Sequence, residues 1–124
     1  MDYNAALALA KKESKPVLVS FIKSDRCSWC KLMEETVFEK QAWKDYAAKN
    51  LVLVTIDYPR DKDIVPTEFV QRNKDLAVKM EIHGVPAYVL LDADGKTRLG
   101  KFGSGKNKTP KSFIKEIDSS IEAK

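Results

Sequence analysis

The sequence predicts an α/β fold in which a mixed four-stranded sheet lies between two layers of helices. Three observations predict it: apolar runs of strand length at Pro16 to Ile22, Leu51 to Tyr58 and Ala87 to Leu91; helical patterns between those runs; and a strong turn followed by a returning strand near the end.

Asp2 to Glu13 carries alanines and leucines at helical spacing, with Asp2 or Asn4 to cap its start and Pro16 to end it. Val17, Leu18, Val19, Phe21 and Ile22 follow almost without a polar break, as in a strand buried on both faces. After the polar segment Lys23 to Arg26 a helical pattern begins at the cysteines. Leu32, Met33, Val37 and Phe38 form its inner stripe, and Trp43, Tyr46 and Ala47 continue it beyond a bend near Glu39. Leu51 to Tyr58 is then a second apolar, β-branched run, a strand parallel to the first across a right-handed helical crossover. Pro59 to Pro66 reads as an exposed loop, and Thr67 as the cap of a helix running to about Met80. Ala87 to Leu91, the turn Asp92 to Lys96 and Thr97 to Phe102 make an antiparallel hairpin. Past the Gly103 to Lys108 loop, Thr109 and Pro110 open a last helix, with Phe113, Ile114, Ile117 and Ile121 on its buried side.

At 124 residues, with 44% hydrophobic and 32% charged content, residues 1–124 are expected to form one soluble domain. The net charge of +4 is spread along the whole length with no basic block, so nucleic acid is not an expected partner. The apolar runs are too short to span a bilayer, and no membrane insertion is expected. No targeting segment opens the chain, yet Met1 stands just before the first helix, as in a chain trimmed of a signal peptide.

The chemistry-bearing feature is Arg26-Cys27-Ser28-Trp29-Cys30-Lys31. Cysteines three apart close too small a loop to staple a fold, so reactivity or metal binding explains them better. Zinc needs two further ligands, and the chain has no third cysteine and a single imidazole, His83; no metal or other cofactor is expected. A cysteine in the first turn of a helix faces unpaired backbone N–H groups that favour the thiolate. Cys27 is therefore the expected nucleophile. Cys30, one turn on, is the expected resolving thiol, less exposed because it lies further inside the helix. Arg26 and Lys31 are candidate modulators through their charge, and both also read as solvated surface cations. Trp29 offers apolar surface beside the sulfurs for substrate, or packs locally.

The C-S-W-C pair between a buried strand and a helix, together with Ile82-His83-Gly84-Val85-Pro86-Ala87 entering the third strand, resembles the thioredoxin superfamily over nearly the full length. The resemblance implies a three-layer thioredoxin-like fold, a cis peptide bond before Pro86, and a Val85 backbone that binds a substrate strand. Lys15 to Val19, Ser24 to Leu32 and Leu91 to Lys96 are similar, more narrowly, to small bacterial disulfide reductases and isomerases of the DsbH type, many of them exported. That implies a monomer that reduces or isomerises protein disulfides, takes electrons from a redox partner protein and works in the periplasm, with a cytoplasmic address as the alternative.

Departures from thioredoxin are specific. Arg26 stands where it has tryptophan, Ser28-Trp29 where it has Gly-Pro, and Ser20 where the family commonly has a buried aspartate that accepts the resolving thiol's proton. Serine cannot take that role, which leaves Glu34, Glu35 or a water. His83, close in sequence to Pro86, is a candidate modulator of a nearby thiolate or simply a loop histidine. The second functional reading is a thioredoxin-fold binding module or chaperone in which the dithiol is incidental and Trp29 marks an apolar docking patch.

Overall fold

The computed structural model describes residues 2–124. Helix α1 (Tyr3–Glu13) starts at Asp2, whose carboxylate accepts the Asn4 and Ala5 amides, and ends at Ser14 in a left-handed conformation (φ 55°). The stop thus comes two residues before Pro16. Strand β1 (Val17–Ile22) pairs parallel with β2 (Val52–Asp57) and antiparallel with β3 (Ala87–Leu91), which pairs antiparallel with β4 (Arg98–Phe102). The order β2-β1-β3-β4 makes the expected mixed four-stranded sheet, with β1 and β3 at its centre.

Alternation along β1 divides the interior into two layers. Val17, Val19 and Phe21 join Val52, Val54 and Ile56 beneath α1 and α4 (Thr67–Lys79). On the opposite face Leu18 joins Tyr88 and Leu90 beneath α3 (Gln41–Asn50) and α5 (Pro110–Glu122). Phe113 of α5 is fully buried there, its ring 5.4 Å from those of Trp43 and Tyr88, 5.8 Å from that of Phe38 and 5.9 Å from that of Phe102. Thr109 and Ser112 cap α5 reciprocally, as the Thr109-Pro110 signal implies.

Strand β2 is an edge strand and alternates: Leu53 is 42% exposed and Thr55 is exposed, because α3 covers this face incompletely. Two expectations are corrected. Thr67 does not cap α4, whose cap position is Pro66, a residue with no side-chain acceptor. The helix begun at the cysteines is α2 (Ser28–Met33) followed by a π-helical turn, Glu34–Phe38, before the break at Glu39 and Lys40. The bend near Glu39 is where the sequence puts it; the widened turn before it is not foreseen.

Because four rings converge on Phe113, Phe113→Ala should destabilise the fold by about 3–5 kcal/mol in urea denaturation. A loss below about 1 kcal/mol would mean that this face collapses around the hole and is not closely packed.

Candidate functional site

The site begins where β1 ends. β1 is paired on both sides, and the chain leaving it at Ile22 makes a turn closed by the Arg26 amide on the Lys23 carbonyl (3.0 Å). Two carboxylates pin that turn. Asp25 accepts the Arg60 and Asp61 amides (3.2 and 2.9 Å), and Asp57, at the end of β2, accepts the Ser24 amide (3.0 Å). Asp57 is itself held, since its carbonyl accepts the amide of the buried Asn73 side chain on α4 (2.8 Å). The polar segment 23–26 carries only a loop signal in sequence. Its anchoring role depends on residues 57 to 61, which no local pattern connects to it.

Cys27 is the cap residue of α2, with extended backbone, and its Sγ accepts the Cys30 amide at 3.0 Å. Cys27 and Cys30 are joined by a disulfide across a Cα–Cα distance of 5.2 Å. The helix-start geometry matches the sequence expectation, but the ranking of exposure is reversed. Cys27 is only 6% exposed and Cys30 is half-buried. Cys27, the cap residue at the end of the pinned turn, is thus the more deeply buried of the pair. Trp29 is 41% exposed and Arg26 is exposed, so both stand beside the pair at the surface.

The Val85–Pro86 bond is cis. Phe21 is the register partner of Ala87, so the antiparallel pairing brings Val85 and Pro86 to the end of the sheet at which β1 delivers the dithiol. Pro86 is buried, Val85 half-buried and His83 exposed in the preceding turn.

Behind the disulfide lies a cavity of about 580 Å3 between β1, β2, β3 and the α2–α3 segment. Cys27 and Cys30 form part of its wall with Ser20, Glu34, Lys44 and Tyr88, and Leu53 and Thr55 form its outer side. Its space exists because Ser20 is small and β2 is an edge. Burial holds the Glu34 carboxyl above the ordinary glutamate range, Glu39 pushes it further the same way, and Lys44 opposes both. Burial, and then the Glu34 charge, hold the Tyr88 phenol well above its usual value. No sequence pattern marks Lys44 or Tyr88 as neighbours of the cysteines. The described residues form no group of three or more His, Cys, Asp or Glu able to hold a metal ion, and no described helix is long and apolar enough to cross a membrane.

A sheet with antiparallel β3 entered through a cis-proline, and a Cys-x-x-Cys disulfide at the helix after β1, define a thioredoxin-fold dithiol protein. A family model described as thioredoxin-like matches residues 1–93, and the chain belongs to that family. Disulfide bond reductase DsbH of Chlamydia pneumoniae is 34% identical over 102 residues, covering 82% of this chain and 60% of that protein. The chain thus spans about three-fifths of the length of that relative. Among solved structures, a DsbH oxidoreductase superposes on 100% of this chain and 84% of its own, with a TM-score of 0.89 and 27% identity. A disulphide isomerase from Xylella fastidiosa Temecula1 covers 93% of this chain and 87% of its own, with a TM-score of 0.71 and 25% identity.

The Asp25 clasp has a defined pH sense. The Asp61 amide above all holds the Asp25 carboxyl below the ordinary aspartate value; desolvation opposes it, and the Arg60 amide adds to the lowering. The folded-state constant lies below the unfolded one, so the clasp contributes fully above the unfolded value and is lost as pH falls through the folded one. Asp25→Ala should therefore speed hydrogen exchange at the Arg60 and Asp61 amides at neutral pH, measured by NMR. Unchanged exchange there would show that the turn is held by other contacts.

Proposed function

We propose that this chain is a thiol–disulfide oxidoreductase that reduces or isomerises protein disulfides through a Cys27/Cys30 cycle. The observation that carries the reading is the Cys27 sulfur at the start of α2, bonded to Cys30 and accepting its amide. When the pair is reduced, that amide and the neighbouring free N–H groups of the helix start favour a thiolate on Cys27. The thiolate attacks one sulfur of a substrate disulfide, forming a mixed disulfide and expelling the other substrate sulfur as a thiolate. Cys30 then attacks Cys27 Sγ, the mixed disulfide breaks, and the Cys27–Cys30 bond closes with two electrons passed to the substrate. A dithiol partner protein returns the pair to the reduced form by the same exchange in reverse.

Exposed Trp29 and half-buried Val85 supply the surface for a polypeptide beside the sulfurs, with the Val85 backbone as the hydrogen-bonding edge and Pro86, which has no N–H, leaving that edge open. Arg26 adds positive charge on the exposed side, and His83 is the candidate for a pH-dependent effect in the turn before Pro86. The DsbH name of the relative supports reduction as the direction. A single thioredoxin-like domain over residues 1–124, a monomeric state, a protein redox partner and an exported, periplasmic address complete the reading.

Cys27→Ala should abolish reduction of a model protein disulfide such as insulin, and Cys30→Ala should accumulate a covalent complex between Cys27 and substrate, visible on non-reducing gels and by mass. Full turnover by both variants would refute the dithiol cycle. Undiminished client binding by a double Cys27→Ala, Cys30→Ala variant that shows no exchange phenotype would favour a binding module.

A further inference from the structure

Closing the cycle requires Cys30 to lose a proton, because the thiolate and not the thiol attacks the mixed disulfide. Cys30 lacks the advantage of Cys27: its own amide is directed at Cys27 Sγ, and it lies within the helix and not at its end. A group able to accept the proton must therefore be reachable from the side of Cys30 that is not covered by substrate. The cavity behind the disulfide is that side.

Of the residues lining it with Cys30, Ser20 has no basic form near neutrality and the Tyr88 phenol is kept protonated by its burial. Lys31 and Lys44 are donor side chains that offer no acceptor. Glu34 is the one carboxylate in the wall. It sits one helical turn after Cys30, with its amide donating to the Cys30 carbonyl, so the two side chains project from the same face. Glu34 and its neighbour Glu35 are both exposed at the surface, but only Glu34 lines the cavity.

We propose that Glu34 accepts the proton of the Cys30 thiol when Cys30 displaces substrate from Cys27, across the cavity that both line. The proposal rests on the dithiol reading above. The Cys30 proton passes to the Glu34 carboxylate through cavity water, the Cys30 thiolate bonds to Cys27 Sγ, and the bond between Cys27 and the substrate sulfur breaks. The substrate leaves as a thiolate and is protonated from solvent. Glu34 releases its proton to water through its exposed side. The groups facing Glu34 bear on its strength as a base. Lys31 and Glu39 lie on its own helical segment, Lys44 on α3 and Tyr88 on β3. Partial burial and Glu39 make it a stronger base than an ordinary glutamate, and Lys44 opposes that shift.

The test uses the full reduced chain and the aromatic disulfide 5,5′-dithiobis(2-nitrobenzoate). Formation of the mixed disulfide releases one coloured thiolate and its resolution by Cys30 releases a second, so stopped-flow absorbance separates the two steps. In Glu34→Gln the second phase should slow by about 10²-fold near pH 6 to 7. Its rate should then climb about tenfold per pH unit toward the ordinary thiol range, where hydroxide takes over, while the wild-type rate levels off once Glu34 is ionised. Glu34→Asp should restore part of the loss, and Glu35→Gln should leave both phases and their pH profiles as in the wild type. A second phase in Glu34→Gln that is unchanged, or slowed equally at every pH, overturns the proposal. Release of only one thiolate by the wild-type protein would instead refute the dithiol cycle itself.

Discussion

The amide of Cys30 on the sulfur of Cys27 is the contact on which the rest of the site depends. It exists because the chain stops being a strand at Ile22 and becomes a helix at Ser28, leaving Cys27 as the residue that must satisfy the first helical N–H groups. Most helices use serine, threonine or aspartate for this purpose. Here a sulfur does it, so the group that completes the helix is also the group whose charge the helix start favours. Burial works against that charge, since Cys27 is almost wholly covered. Directed N–H groups and the positive helix end must prevail over desolvation for Cys27 to act as the nucleophile.

That contest is decided by placement, and the surrounding structure is arranged to hold the placement. β1 is gripped by β2 and β3, so the point from which the turn departs is rigid. Asp25 and Asp57 then fix the turn to residues at and just after the end of β2, and Asn73 fixes Asp57 from α4. A short polar loop thus acquires a single course without an apolar core of its own. The antiparallel register of β1 and β3 adds the cis-proline turn at the same end of the sheet. On the other side of the disulfide, the small Ser20 and the open edge at β2 leave a cavity where a bulkier or doubly flanked strand would have closed one. Both cysteines border that cavity, and they differ in depth and in position at the helix start.

Much of this was legible in the sequence, and for physical reasons. The β-branched runs, the Thr109-Pro110 helix start, the Asp92 to Lys96 turn and the cysteines at a strand-to-helix junction are local signals, each produced by residues within a few positions of one another. In that turn the Asp94 carboxylate accepts the Lys96 and Thr97 amides and Gly95 takes a positive φ of 72°, as the residue types suggest. What stayed hidden required contacts between distant segments. The apolar content of Leu51 to Tyr58 does not reveal that β2 lies at an edge, which depends on sheet order. The polar Lys23 to Arg26 segment does not reveal its partners at Asp57, Arg60 and Asp61. Position along the helix does not by itself set exposure: Cys27, at the helix start, is the more buried of the pair. The cavity arises from one small residue, Ser20, opposite a helix widened by a π turn that leaves no mark in composition.

The most direct test of the helix-start account is competitive alkylation of the reduced protein. With a limiting amount of iodoacetamide near neutral pH, followed by peptide mass mapping, the label should fall predominantly on Cys27, although Cys27 is the more deeply buried of the two. Labelling that follows exposure and favours Cys30 would contradict the account, because it would mean that the N–H groups at the start of α2 do not create a reactive thiolate there.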